Sequence, residues 1–265
     1  MFLTPEKRKG PELMDLPPET YSLEELDASL ADLRIVNRYL GDQRALLKHL
    51  AAKVGDGTSF TLLDIATGSA DLPVAIVDWA RKAGISAAVT GVDLNERTVA
   101  IAGSQTAGYP EITLQVADGL SLPFPDKSFD FVICCKTSHH LTNQEVVRLI
   151  KEMLRVAKSG YIVMDLRRSW IPFALIYLLT RIFIRNRLTR HDGPLSVLRS
   201  FTPTELAALS KMAGGERFSV SKEPFWLLVL SGDVQRAGEE LTKAAIEKAG
   251  GFQAKTCAGT GTDLR

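Results

Sequence analysis

The sequence predicts an α/β fold, a mostly parallel sheet with helices on both faces. Three observations predict it. Short apolar runs recur at residues 60–65, 87–92, 112–116, 129–134 and 161–165. Segments with helical spacing separate them, and strand alternating with helix is the pattern of βαβ units. Acidic residues close or follow the first three runs, at Asp64, Asp93 and Asp118, where a doubly wound sheet presents ligand-binding groups.

The elements follow in chain order. Residues 1–21 are rich in proline and charge and predict a loose N-terminal tail. Ser22 and Glu25 have the spacing of a capping box. Leu23, Leu26, Leu30, Leu33, Val36 and Leu40 then recur at steps of three and four, one apolar helix face. Gly41 ends that helix, and Asp42 is placed to cap a second one carrying Leu46, Leu47, Leu50 and Val54. A helical hairpin over 22–57 therefore precedes the main domain, expected over 58–231. There the runs alternate with helices at 71–83, from about 96, and at 143–156. Residues 166–200 form a helical insertion after the fifth run. Residues 217–221 and 226–230 could pair as an antiparallel hairpin. Residues 232–265 are expected to hold one polar helix and a fraying tail.

Composition narrows the function. Lys+Arg is 32 against Asp+Glu 31, a formal net charge of +1, which argues against a nucleic-acid binder working through a broad basic face. Cys134, Cys135 and Cys257 cannot build a disulfide framework and lack metal-ligand spacing, as expected of a protein from a reducing cytoplasm. The four histidines, His49, His139, His140 and His191, also lack ligand spacing, so no metal site is expected. The N-terminus has no signal-peptide h-region. The apolar stretch 170–184 is shorter than the ~20 residues that span a bilayer and contains Arg181. It suits a buried cap helix, or transient contact with a membrane surface or an apolar ligand.

The first run and turn read LLDIATGSADLP. The dinucleotide fingerprint wants glycines where Ala66, Gly68 and Asp71 stand. Asp71 sets a carboxylate where a pyrophosphate would lie on a helix N-terminus. That suits a cationic ligand, one carrying an ammonium or a sulfonium. Asp93, in VTGVDLN, can accept both hydroxyls of a ribose, and Asp118 can accept from an exocyclic amine.

These motifs, with VADGLSLPFPDKSFDFVICC and the pair His139-His140, resemble the class I S-adenosylmethionine-dependent methyltransferases, closest to the small-molecule group of quinone biosynthesis. The resemblance spans about residues 60–165. It implies a Rossmann-like seven-stranded sheet of order 3-2-1-4-5-7-6 with a helical cap, and S-adenosylmethionine as cofactor. It implies that Asp64, Ala66, Thr67, Gly68 and Asp71 cradle the methionine part and Asp93 the ribose. Leu94 would face the adenine, Asp118 with Gly119 its amine, and Cys135 would line the pocket. Ala66 and Ala70 stand where such loops carry glycine, and an alanine methyl fits there at negative φ.

His139 and His140 follow the fourth strand on the reactive side. Only one of two adjacent residues is expected to face the pocket, and His140 is taken as that catalytic base. Arg167 and Arg168 are placed to bind an acidic or quinone-like acceptor. The function expected is methyl transfer to a small, fairly apolar acceptor, phenolic, quinone-like or polyketide-like. O- and C-methylation stay open, as does the oligomeric state. An RNA methyltransferase and a non-catalytic nucleoside-binding module are the alternatives.

Overall fold

The alternating apolar runs assemble side by side in the computed structural model, which describes residues 4–8 and 10–234. The strands are β1 (Ser59–Ile65), β2 (Ser86–Asp93), β3 (Ile112–Val116), β4 (Phe129–Cys135), β5 (Ala157–Leu166), β6 (Arg217–Glu223) and β7 (Leu227–Asp233). They form one sheet in the order β3-β2-β1-β4-β5-β7-β6, the order the resemblance implies. The first five pair in parallel, and β7 runs antiparallel to both β5 and β6.

Side chains alternate across each strand, so each run feeds two apolar layers. On one face Leu63, Ile65, Val132 and Val163 pack with Val146, Leu149 and Ile150 of α5 (Asn143–Val156). On the other, Leu62, Phe131, Ile133 and Ile162 pack with Leu46 and Leu50 of α2 (Asp42–Val54) and Ile76 of α3 (Asp71–Ala83). Helices α4 (Glu96–Gln105) and α8 (Pro203–Met212) complete the covering. Residues buried on both sides explain why the runs are continuously apolar rather than alternating.

The remaining helices, α1 (Leu23–Tyr39), α6 (Trp170–Phe183) and α7 (Arg187–Arg199), lie over the carboxyl edge. The capping box forms: Ser22 Oγ accepts from Glu25 N, and the Glu25 carboxylate from Ser22 N, both at 3.1 Å. On the apolar face of α1 only Leu26 and Leu30 are buried in packing, against Tyr21 and Leu188. Leu33, Val36 and Leu40 face a cavity instead. Asp42 does not cap α2. Gly41, at φ 89°, is the capping residue, and the buried Asp42 carboxylate pairs with Lys136 Nζ at 2.8 Å.

The N-terminal segment is not loose where it is described. Two short 3₁₀ turns, Leu13–Asp15 and Pro18–Thr20, dock it beneath α7. The Asp192 carboxylate accepts from Leu13 N (2.7 Å) and Met14 N (3.1 Å). This segment has no periodic apolar face, so nothing local announces a partner that lies nearly 180 residues away. Helix α6 is two-sided: Ile176 and Leu179 line the cavity, while Trp170, Leu175, Leu178 and Ile182 are exposed, as is Phe183 at the cavity rim. Among the described residues no helix is long and apolar enough to cross a membrane. The expected C-terminal helix lies outside the described residues; 232–234 only complete and follow β7.

Candidate active site: a lidded cavity at the carboxyl edge of the sheet

The ends of β1, β2 and β4 open into a cavity of about 1320 Å³ roofed by α1, α6, α7 and the N-terminal turns. The loop between β1 and α3 forms its floor. Its backbone turns through the left-handed region three times, at Ala66 (φ 57°), Gly68 (φ 58°) and Ala70 (φ 58°). The expectation of negative φ at the alanines is therefore corrected. They are held otherwise because Thr67 N donates to Val92 O (2.9 Å) and Gly68 N to Asp93 Oδ2 (3.1 Å), which folds the loop onto β2. An L-residue in that region costs roughly 1–2 kcal/mol, and such strain persists where surrounding contacts over-determine it.

Three carboxylates gather around this loop. Asp64 is fully buried and accepts from Thr67 Oγ1 at 2.8 Å, and burial pushes its carboxyl up to about 7. Asp71 accepts from Asn37 Nδ2 at 3.0 Å, and burial raises it too. Asp93 accepts from Gly68 N and from Asn95 N (3.0 Å) and is likewise raised by burial. None of the three makes a salt bridge among the described residues, although the Arg34 charge favours the ionised form of Asp71. Asn37 Oδ1 is buried at the cavity wall without a partner. Uncompensated negative charge beside a free acceptor oxygen is the lining a cation fits.

The cavity collects Asp64, Ala66, Thr67, Gly68, Asp71, Asp93, Leu94 and Cys135, with both histidines. It does not collect four other expected residues. Asp118 is exposed, outside the lining, and its carboxylate accepts from Leu120 N at 2.8 Å. Gly119 is absent from the lining too; its missing side chain answers a packing need, since a Cβ there would meet Ile65 Cγ2 at 2.5 Å. Arg168 is buried away from the cavity, donating to Ser200 O (2.8 Å) and Glu205 Oε1 (2.5 Å), so it ties β5 to α8. Arg167 is also outside the lining; its backbone bridges to Phe201.

A 3₁₀ turn, Ser138–His140, carries the histidines. Both rings face the cavity, against the expectation of one, because the tight turn stacks them at 4.2 Å and 35°. His139 is buried, and its Nδ1 lies 2.7 Å from Asp165 Oδ1. Ser138 Oγ and His139 N donate to the other oxygen of the same carboxylate. Burial alone would raise Asp165, but the His139 charge and these hydrogen bonds hold it well below the carboxylate range. His140 Nδ1 lies 2.5 Å from Asp15 Oδ1. Burial opposes its protonation, but the Asp15 bond and the Glu12 charge outweigh that and hold its pKa above the ordinary value. Cys135 is pushed well up by burial, which makes it a wall and not a nucleophile.

Sequence reasoning missed Glu12, Asp15, Asn37 and Arg199. Glu12 is buried, raised by that burial, and accepts from Ser196 Oγ. Its two oxygens lie 3.6 Å from His139 Nε2 and 3.8 Å from His140 Nε2. Arg199 donates to His139 O, His140 O and Asp15 Oδ2, locking the turn to α7. The histidine spacing alone suggests no metal ligands; a carboxylate from the N-terminal segment completes a group that spacing could not reveal.

Residues 46–164 match a family model described as a methyltransferase domain. The demethylmenaquinone methyltransferase of Lysinibacillus sphaericus is 32% identical over 132 residues, 49% of this chain and 52% of that protein. The ubiquinone/menaquinone biosynthesis C-methyltransferase of Geobacter sulfurreducens is 36% identical over 102 residues, 37% of this chain and 38% of that one. The chain thus spans about half the length, or less, of the curated relatives it matches. Among solved structures, human N-acetylserotonin methyltransferase in complex with SAM superposes with TM-score 0.61 at 18% identity, over 86% of this chain and 64% of that one. A SAM-dependent methyltransferase from Aquifex aeolicus gives 0.56 at 18%, over 79% and 98%. At such identity these two structures speak for the fold. Over residues 46–164 the chain is similar to a methyltransferase domain, and it resembles the class I S-adenosylmethionine-dependent methyltransferases, the quinone-biosynthesis enzymes among them.

Proposed function

We propose that the protein transfers a methyl group from S-adenosylmethionine to a small, fairly apolar acceptor of phenolic or quinone-like character. The observation that carries this is the trio of buried Asp64 and half-buried Asp71 and Asp93, without an ion pair among the described residues, at one end of a cavity whose other end holds His139 and His140. The residues fit the cofactor. Its ammonium and sulfonium answer the carboxylates, and the orphaned Asn37 Oδ1 can accept from an ammonium. Asp93 is placed to accept from ribose hydroxyls, and the left-handed loop lets backbone approach the ligand closely.

When bound, the cofactor supplies an electrophilic methyl on a positive sulfur. The chain supplies alignment and exclusion of water, the main requirements of such a displacement. Val36, Leu40, Ile176 and Leu179 make the apolar walls that would hold a ring-sized acceptor and keep water from it. An oxygen acceptor must also lose a proton. The Nε2 atoms of His139 and His140 are the basic nitrogens on that side, each Nδ1 being engaged by a carboxylate. The half-length similarity to quinone-biosynthesis enzymes supports the acceptor class.

Calorimetry with S-adenosylmethionine on the intact protein and on Asp93→Ala tests the reading. Losing a charge-assisted contact should weaken binding by about 2–4 kcal/mol. Unchanged affinity in the variant, or no binding to either protein, would refute it.

A further inference from the structure

Glu12, His139 and His140 are arranged as a ligand set. Their donor atoms, one per residue, all lie within 4.8 Å of one another, and all three residues line the cavity. Tetrahedral binding at about 2.0–2.1 Å separates donors by about 3.3 Å. His139 Nε2 lies 3.6 Å from one Glu12 oxygen and His140 Nε2 3.8 Å from the other, so side-chain rotation within the 4.8 Å group would have to draw the donors together around an ion.

The surroundings make the stronger case. Metal-binding histidines characteristically give their other nitrogen to a carboxylate, which orients the ring and raises its basicity. Here both do so, His139 Nδ1 to Asp165 and His140 Nδ1 to Asp15. The ring stack then leaves the two Nε2 atoms converging on Glu12, whose carboxylate is itself oriented by Ser196 Oγ. The group also needs positive charge. Glu12, Asp15, Asp165 and Asp192 face it from three elements, the N-terminal turn, β5 and α7, and the guanidinium of Arg199 approaches Glu12 only to 4.0 Å.

We propose that Glu12, His139 and His140 bind one first-row divalent cation such as Zn²⁺, with its open positions facing the cavity. Two histidines and one carboxylate suit that class of metal, and three protein ligands leave room for a further oxygen. That oxygen would be the hydroxyl or carbonyl of the acceptor, oriented by the metal; a hydroxyl would be made acidic enough to release its proton to water, the two Nε2 atoms then serving as ligands in place of bases. This role rests on the methyl-transfer reading; metal binding itself does not.

The full-length protein, stripped with a chelator and dialysed, is titrated with Zn²⁺ by calorimetry and with Co²⁺ by visible absorption. One equivalent should bind, with d–d bands showing histidine ligation. His140→Ala and Glu12→Gln should each weaken Zn²⁺ at least tenfold with an unchanged circular dichroism spectrum. Asp15→Asn, which keeps an oxygen for Arg199 and the Glu12 backbone but removes the charge beside His140 Nδ1, should cost roughly tenfold to a hundredfold. Folding losses would be recognised in the melts, where His49→Ala serves as a distant control that keeps full affinity. Absence of binding, or binding that survives His140→Ala and Asp15→Asn, overturns the site. S-adenosylmethionine is titrated separately. If it binds and metal does not, the metal proposal alone fails. If metal binds and S-adenosylmethionine does not, the methyl-transfer reading fails and the metal site stands.

Discussion

Replacing Asp64 by asparagine should stabilise the ligand-free protein above neutrality, and the size of the effect follows from its burial. The folded carboxyl titrates at about 7 against 3.8 for a free side chain, chiefly through desolvation, with the charges of Asp71 and Asp93 adding to it. Below pH ~4 both folded and unfolded chains hold the proton, and this group contributes nothing to the pH dependence. Between pH ~4 and ~7 the folded chain holds it and the unfolded chain does not. Stability therefore falls as pH rises, by about 1.4 kcal/mol per unit. Above pH ~7 both are ionised and the whole penalty remains, on the order of 4 kcal/mol for a shift of about three units. The substituted amide would keep an oxygen for the Thr67 hydroxyl and lose the titration. Asp15 and Asp165, whose carboxyls are held low, act in the opposite sense and lose their contribution in acid, but they are common to both proteins and cancel in the difference. Urea unfolding followed by tryptophan fluorescence at several values between about pH 4 and 9 measures that difference. The variant should gain on the parent steadily up to about pH 7 and hold a constant lead beyond. A difference independent of pH, or a variant less stable at about pH 8, would refute the reasoning. The same variant should bind S-adenosylmethionine poorly, because the cation loses a carboxylate.

Three further outcomes follow from single contacts. Ala66→Gly relieves a left-handed alanine worth roughly 1–2 kcal/mol and loses about 0.4–1 kcal/mol through the freer unfolded chain. The net gain should raise Tm by about 2–4 °C per kcal/mol. A lower Tm would show that the methyl contributes more by contact than the conformation costs. Lys136→Met strands the buried Asp42 carboxylate and should cost about 3–5 kcal/mol. Adding Asp42→Asn should restore most of it in denaturant titrations, and no recovery would mean the pair is not the cause. Removing residues 1–21 deletes Glu12 and Asp15 from the cavity roof but leaves Leu46 and Leu50 of α2 in the core. That chain should keep a cooperative melt and lose turnover. Removal through residue 54 should lose the cooperative melt too, each buried leucine being worth about 2–5 kcal/mol. Retained turnover after the shorter deletion would show that the segment is no lid.

The carboxylate end of the cavity was legible because its signals are local. Asp64 and Asp93 belong to apolar runs that only a strand explains, and Asp71 opens the next helix. The Ser22–Glu25 box and the leucines of α1 likewise obey a three-to-four residue rule that one chain segment carries by itself. The histidine end was not legible. His140 meets Asp15 across 125 residues, and Arg199 meets the same carboxylate across 184. A polar contact at such range leaves no period in either segment, so the N-terminal stretch reads as a loose tail.

The arginines make the same point. Arg167 and Arg168 stand at the sheet edge in sequence and look like acceptor ligands, yet Arg168 turns its two terminal nitrogens to Ser200 and Glu205. Arg199, which carries no mark in the sequence, reaches the site because α7 packs over the histidine turn. The sequence by itself determined which residues form helices and strands, and that acids stand at the carboxyl edge. Only the tertiary structure decided which polar groups share the cavity. Backbone and apolar preferences act between near neighbours, whereas a buried charge takes whichever partner the finished packing brings within hydrogen-bond reach.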